Sequence, residues 1–257
     1  MGTLEALGPV WEALGLLPAA VALAFFRISG LMLLAPALGE RMIPARVRLA
    51  ASFALTVAVA PLLPPAIVPA EITPALILVE AAIGAALGAV LRFMAQALQV
   101  AGTVAAQATS LAQLFGAPQQ DAGSAIGQVL HLAGLALLMA TGLHLLLIDL
   151  LVRSWEVFPP GLVLPGADVA EWGLARVGAA FALALGLAAP FVIAAVLYNL
   201  ALGVINKAMP QLMVALVGAP AITFVSLALT AATAGLILTV WRDRVLAVIA
   251  DPVLPWP

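Results

Sequence analysis

Apolar runs of Ala, Leu, Val, Ile and Gly, broken at intervals by proline, glycine or charge, divide this chain into about six hydrophobic segments. The first runs from about Leu14 to Leu38 and carries Arg27 inside it. Glu40, Arg41, Pro44, Arg46 and Arg48 then turn the chain into a second, Leu49 to Leu63. The stretch LLPPAIVPAEITP, with four prolines and Glu71, stops any helix there. From Pro74 the pattern permits one helix as far as Phe115, about 60 Å at about 1.5 Å per residue. That is about twice the thickness of a bilayer's hydrocarbon core, so this helix must bend, leave the membrane or pack inside an assembly. A fourth segment spans Ser124 to Leu151, and VFPPGLVLPGADVAEWG separates it from a fifth, Leu174 to Leu202. Asn206, Lys207 and Pro210 mark the next turn. The sixth, Leu212 to Val240, closes on Trp241, Arg242, Asp243 and Arg244, a composition suited to a membrane interface.

Composition turns this pattern into a class. Of 257 residues, 65% are hydrophobic and 9% charged, and the mean hydropathy is +1.21. A soluble domain carries about 25% charge. The reading is an all-α integral membrane protein, a single membrane domain over 1–257, with its helices arranged as hairpins. A net charge of −2 gives no ground for nucleic-acid binding, and the absence of cysteine excludes disulfides and thiol chemistry. The N-terminal MGTLEALGPVWEALG holds two glutamates and no Lys or Arg, unlike a signal peptide. Charge gives conflicting orientations. The Arg41–Arg48 turn points to a cytoplasmic loop, which six crossings would pair with an outward C-terminus; Arg242 and Arg244 point to a cytoplasmic one.

Seven of eight glutamines fall between Gln96 and Gln128. At about 100° per residue, Arg92, Gln96, Gln99, Thr103, Gln107, Ser110 and Gln113 lie within a sector of about 120°. The stripe is about 31 Å long, enough to cross a bilayer core. It reads equally as the lining of a wet conduit or as a polar seam joined to neighbouring helices by amide hydrogen bonds. On the fourth segment Gln128, His131, Gly142, Asp149, Arg153 and Glu156 share a face and His144 points elsewhere. Asp149 and Arg153 have the spacing of an intrahelical ion pair, which reads as a boundary charge pair rather than a proton relay. Arg27 and Glu80 stand alone in apolar helices, each costing about 3 kcal/mol or more at a bilayer centre. Pairing with each other, with partner chains, or snorkelling would relieve them, and a structural ion pair or assembly contact is the plainer role. Gly84 and Gly88 make a GxxxG face suited to close contact with a partner helix. No catalytic, cofactor-binding or metal-binding constellation emerges: there is no HExxH, GxSxG, P-loop or GxGxxG motif, and His131 and His144 lie on different helix faces.

Several stretches resemble the FliR family, the membrane subunit of the flagellar type III export gate, called SctT in virulence secretion systems. They are FFRISGLMLLAPALGERMIPARVRLA, LVEAAIGAALGAVLRFMAQALQVAGTVAAQATSLAQ with Glu80, Gly84, Gly88, Gly102 and Gln107, HLLLIDLLVRSWEVFPPG, and YNLALGVINKAMPQL. The resemblance covers nearly the whole chain, and RMIPARVRLA is the more flagellar in character. It implies a non-enzymatic subunit that assembles with several FliP-like and FliQ-like chains into a cone-like pore for unfolded flagellar proteins. The setting would be the bacterial inner membrane at the flagellar basal body, in contact with an FlhB-like protein and membrane lipid. Fusions to FlhB in the family imply a cytoplasmic C-terminus. The resemblance further implies a FliP-like part over 1–170 and a FliQ-like helical hairpin over 171–257, with an irregular topology that depends on assembly. It makes the loop 110–128 a plug, involving Ser110, Phe115, Gly116, Pro118, Gln119, Gln120, Asp121, Gly123 and Gly127. Glycines 116, 123 and 127 would let that loop change conformation cheaply. The sequence departs from the family's Phe-x-Asp-Pro loop at Phe115-Gly116-Ala117-Pro118, leaving Asp121 as the nearest acid. The alternative is a secondary transporter for a small solute using Arg27, Glu80 or Asp149, but the only echo between halves is ERMIP against NKAMP.

Overall fold

A computed structural model describes residues 18–40, 43–109, 125–209 and 214–251. All regular structure among them is helical: α1 Pro18–Leu34, α2 Ala45–Val59, α3 Pro74–Thr109, α4 Ala125–Ala140, α5 Leu143–Val157, α6 Gly166–Ala208 and α7 Val214–Ala250. The proline-rich stretch after α2 holds only two short 3-10 turns, Ala60–Leu62 and Pro65–Ile67. By length and composition four helices can cross a membrane, and the bent pair α4–α5 adds a fifth. With the shorter apolar helix α1, these are the roughly six apolar units expected.

The boundaries differ instructively. The fourth expected segment is two helices, bent by 73° at Thr141–Gly142. Gly142 adopts φ +83°, a left-handed conformation that glycine reaches without a side-chain clash. A run this apolar conceals the break, because hydropathy does not register one glycine. The fifth and sixth segments are longer than expected, 43 and 37 residues. Asp168 in the first turn and Lys207 in the last suit the dipole of α6, so these polar residues extend the helix and do not end it. Asn206 and Lys207 accordingly belong to the last turn of α6, and Pro210 lies outside the described residues. Helix α7 runs straight through Trp241–Arg244, where an interface boundary was expected.

Helix α3 is the spine. On its first half α1 lies parallel to it: Arg27 faces Glu80 and Gly84, Leu31 faces Gly88, and the carbonyl of Gly39 meets Arg92. The glycines permit this approach, since a Cβ on Gly84 would collide with the carbonyl of Arg27 and one on Gly88 with that of Leu31. The GxxxG face therefore serves a contact inside the chain, where a partner helix was expected. On the second half α4 lies antiparallel, with Gly102 against Gly127 and His131 Nδ1 3.1 Å from the carbonyl oxygen of Ala95. Helix α6 runs parallel to α3. Gly161, just before α6, approaches Leu76, and Val177, Ala180 and Ala184 line one crevice with Phe93, Ala97 and Val100. This register puts the end of α3 level with about residue 193 of α6, so α6 overhangs by roughly 20 Å. The last buried residue of α6 is Ala195.

Candidate functional site

The chain's polar chemistry collects in two places on α3. The first is buried. Arg27 Nε donates to Glu80 Oε2 at 2.7 Å and Nη2 to Oε1 at 3.0 Å, closing a two-bonded fork. Nη1 donates to Ser154 Oγ at 3.0 Å, and Nη2 also to the carbonyl oxygen of Phe158 at 2.8 Å. Trp155 Nε1 donates to Glu80 Oε2 at 3.3 Å, and the guanidinium lies 4.6 Å from the centre of the Trp155 ring. Both charged side chains are sealed from solvent, 0% and 1% exposed. Four of the five guanidinium N–H groups thus have acceptors, as a buried charge requires. Of the alternatives open for Arg27 and Glu80, the structure selects mutual pairing within one chain. The junction binds α1 and α3 to α5 and to its exit turn. Ser154, Trp155 and Phe158 have no role in the sequence reading, although SWEVF is part of a stretch that carries the resemblance.

The second place is the glutamine stripe. Gln96, Gln99 and Gln107 are exposed, Arg92 and Thr103 half-buried. Thr103 Oγ1 donates to the carbonyl oxygen of Gln99 at 2.9 Å, and Arg92 reaches Glu40 at 3.8 Å and the carbonyl of Gly39 at 3.4 Å. On the helix wheel Gly102 turns towards α4 and Val100 towards α6, and the stripe occupies the sector between them. The crevice beside it, about 60 Å³, is lined by Phe93, Gln96, Val100, Ala180 and Phe181 among others. Among the described residues Gln99 and Gln107 are exposed, and Gln96 borders the crevice between α3 and α6.

Ser110 and Gln113 lie outside the described residues, as do the plug positions Phe115, Gly116, Pro118, Gln119, Gln120, Asp121 and Gly123. Gly127, expected in that loop, is helical instead and buried against Gly102. Both it and Gln128 belong to the first turn of α4, so the loop ends before Ala125. The face proposed for the fourth segment is split by the bend: Gln128 and His131 sit on α4, Asp149, Arg153 and Glu156 on α5. Asp149 and Arg153 do pair, at 3.0 Å, but at 50% and 56% exposure the pair is a surface one. Trp241 is no interface anchor: it is fully buried and donates its indole N–H to the carbonyl oxygen of Met94 at 2.7 Å. Its ring lies beneath Gly134, where a Cβ would press on it. Among the described residues no cluster of His, Asp or Glu is arranged to hold a metal ion.

The family model for bacterial export proteins, family 1, matches residues 19–248. The chain belongs to the FliR family. The flagellar biosynthetic protein FliR of Caulobacter vibrioides is 32% identical over 229 residues, covering 87% of this chain and 91% of that protein. FliR of Escherichia coli is 33% identical over 82% of each chain, and that of Bacillus subtilis 30% over 80% and 83%. This FliR-family chain is thus a membrane component of the flagellar export apparatus.

Proposed function

We propose that the chain helps to form and close the pore through which unfolded flagellar proteins leave the cell, as a non-enzymatic subunit of the type III export gate. The observation that carries this reading is the amide stripe of α3, whose Gln96, Gln99 and Gln107 are exposed among the described residues and which runs towards residues 110–124. Uncharged amides offer a passing chain hydrogen bonds at every level without a charge that would hold it. On the overhang of α6, Leu197, Leu200 and Val204 are exposed among the described residues, as befits a subunit completed by FliP-like and FliQ-like neighbours. The setting would be the inner membrane at the flagellar basal body, beside an FlhB-like protein. The transporter alternative draws no support, because Arg27 and Glu80 already satisfy each other.

Deleting residues 116–123 tests the closing role. The gate should assemble in normal amount and conduct small ions across a planar bilayer. Conductance equal to that of the intact gate would refute the plug.

A further inference from the structure

Helix α2 carries its polarity in reverse. Its buried side holds Ser52 and Thr56, whose hydroxyls donate to the helix's own carbonyls at Arg48 (2.9 Å) and Ser52 (2.7 Å). Its outer side is apolar, with Leu49, Phe53 and Val57 about half exposed. Arg46, Leu49, Phe53 and Val57 follow one another at helical spacing, so they form a single narrow row with the arginine at its head. The span Ala45–Leu62 is 18 residues long and apolar enough to cross a membrane. At about 27 Å it just fits the hydrocarbon core, which leaves Arg46 at its edge among the headgroups.

The charge at that edge is uncompensated. Arg27, Arg92, Arg153 and Arg242 each reach a carboxylate, on Glu80, Glu40, Asp149 and Asp243. Among the described residues no such pair forms for Arg46 or Arg48, and Arg48 Nε is buried without a hydrogen-bond partner. The first turn holds no acidic residue, and Pro44 caps it without a side-chain hydrogen bond. Two cations at a helix N-terminus also oppose the helix dipole. An anion brought to this end would pair with Arg46 and offset the unfavourable charge at the helix N-terminus.

We propose that α2 is a binding face for an anionic glycerophospholipid. Arg46 contacts the phosphate, Arg48 adds charge at the same boundary, and an acyl chain lies along Leu49, Phe53 and Val57.

Native mass spectrometry of the full chain, with its accompanying subunits, released from nanodiscs of mixed phosphatidylglycerol and phosphatidylcholine tests this. The intact protein should retain phosphatidylglycerol preferentially. Each arginine near an anionic surface is worth about fivefold in affinity, so Arg46→Gln with Arg48→Gln should reduce the preference about tenfold or more. Arg46→Lys should keep most of it. Phe53→Ala should reduce the number of lipids retained without changing headgroup preference. Equal retention of the two lipids by the intact protein, or an unchanged preference in the double variant, would overturn the proposal. So would a photoreactive group at position 57 that forms adducts with another subunit and not with lipid, since a neighbouring chain would then cover the face.

Discussion

The guanidinium of Arg27 grips the carboxylate of Glu80 with two hydrogen bonds, across 53 residues of sequence and wholly out of contact with solvent. Removing one member leaves the other charge buried and alone, at a cost of about 3 to 5 kcal/mol. Glu80→Ala or Arg27→Ala should therefore sharply reduce the amount of folded chain recovered in mild detergent. The double replacement Arg27→Met with Glu80→Leu should recover much of that loss, because an apolar pair of similar volume can replace a buried ion pair. Thermal unfolding of the three variants provides the check. A double variant no better than the singles would mean that Ser154 and Phe158 depend on Arg27 for more than charge balance.

Gly84 lies against the carbonyl of Arg27. Gly84→Leu should force α1 off α3 and disrupt the buried fork in this chain before any partner is involved. Folded yield of the chain expressed alone should drop; a loss seen only when the partner subunits are present would contradict the intrachain packing.

Trp241 offers a graded test. Phenylalanine keeps the ring under Gly134 but gives up the bond to Met94, a loss of about 1 kcal/mol. Alanine also opens a cavity, for about 3 to 5 kcal/mol in all. Melting temperatures of the two variants should fall in that order. Equal effects would assign the role to the indole hydrogen bond and none to the packing of the ring.

The stripe should behave in the opposite way. Gln99→Leu and Gln107→Leu alter side chains that are exposed among the described residues, so the fold of the chain should change by about 0.5 kcal/mol or less. Export through the assembled gate should suffer instead. Motility and secreted flagellin, measured beside the yield of the complex, separate the two effects. Normal export would remove the stripe from the conduit.

Much of this architecture is visible in the residues before any coordinates. The apolar runs, the Pro64–Pro69 break and the one-sidedness of Arg92–Gln107 follow directly from period and composition. Three things do not. The bend at Gly142 depends on one backbone angle inside a run that hydropathy reads as continuous. The ends of α6 lie where Asp168 and Lys207 complement the helix dipole, and α7 runs on through Trp241–Arg244, though these residues read as turn or interface signals along the chain. The roles of Trp155 and Trp241 come from contacts 75 and 147 residues distant in sequence, which no local periodicity contains.

The overhang of α6 has a thermodynamic consequence. Between Val196 and Ala208 no side chain is buried, and Leu197, Leu200 and Val204 are each more than 60% exposed. The described residues bury little of this segment, so a neighbouring subunit that covers it would add stability by mass action. The unfolding midpoint of this protein should rise with the concentration of its neighbours, and the stability of the isolated chain should understate that of the assembled gate.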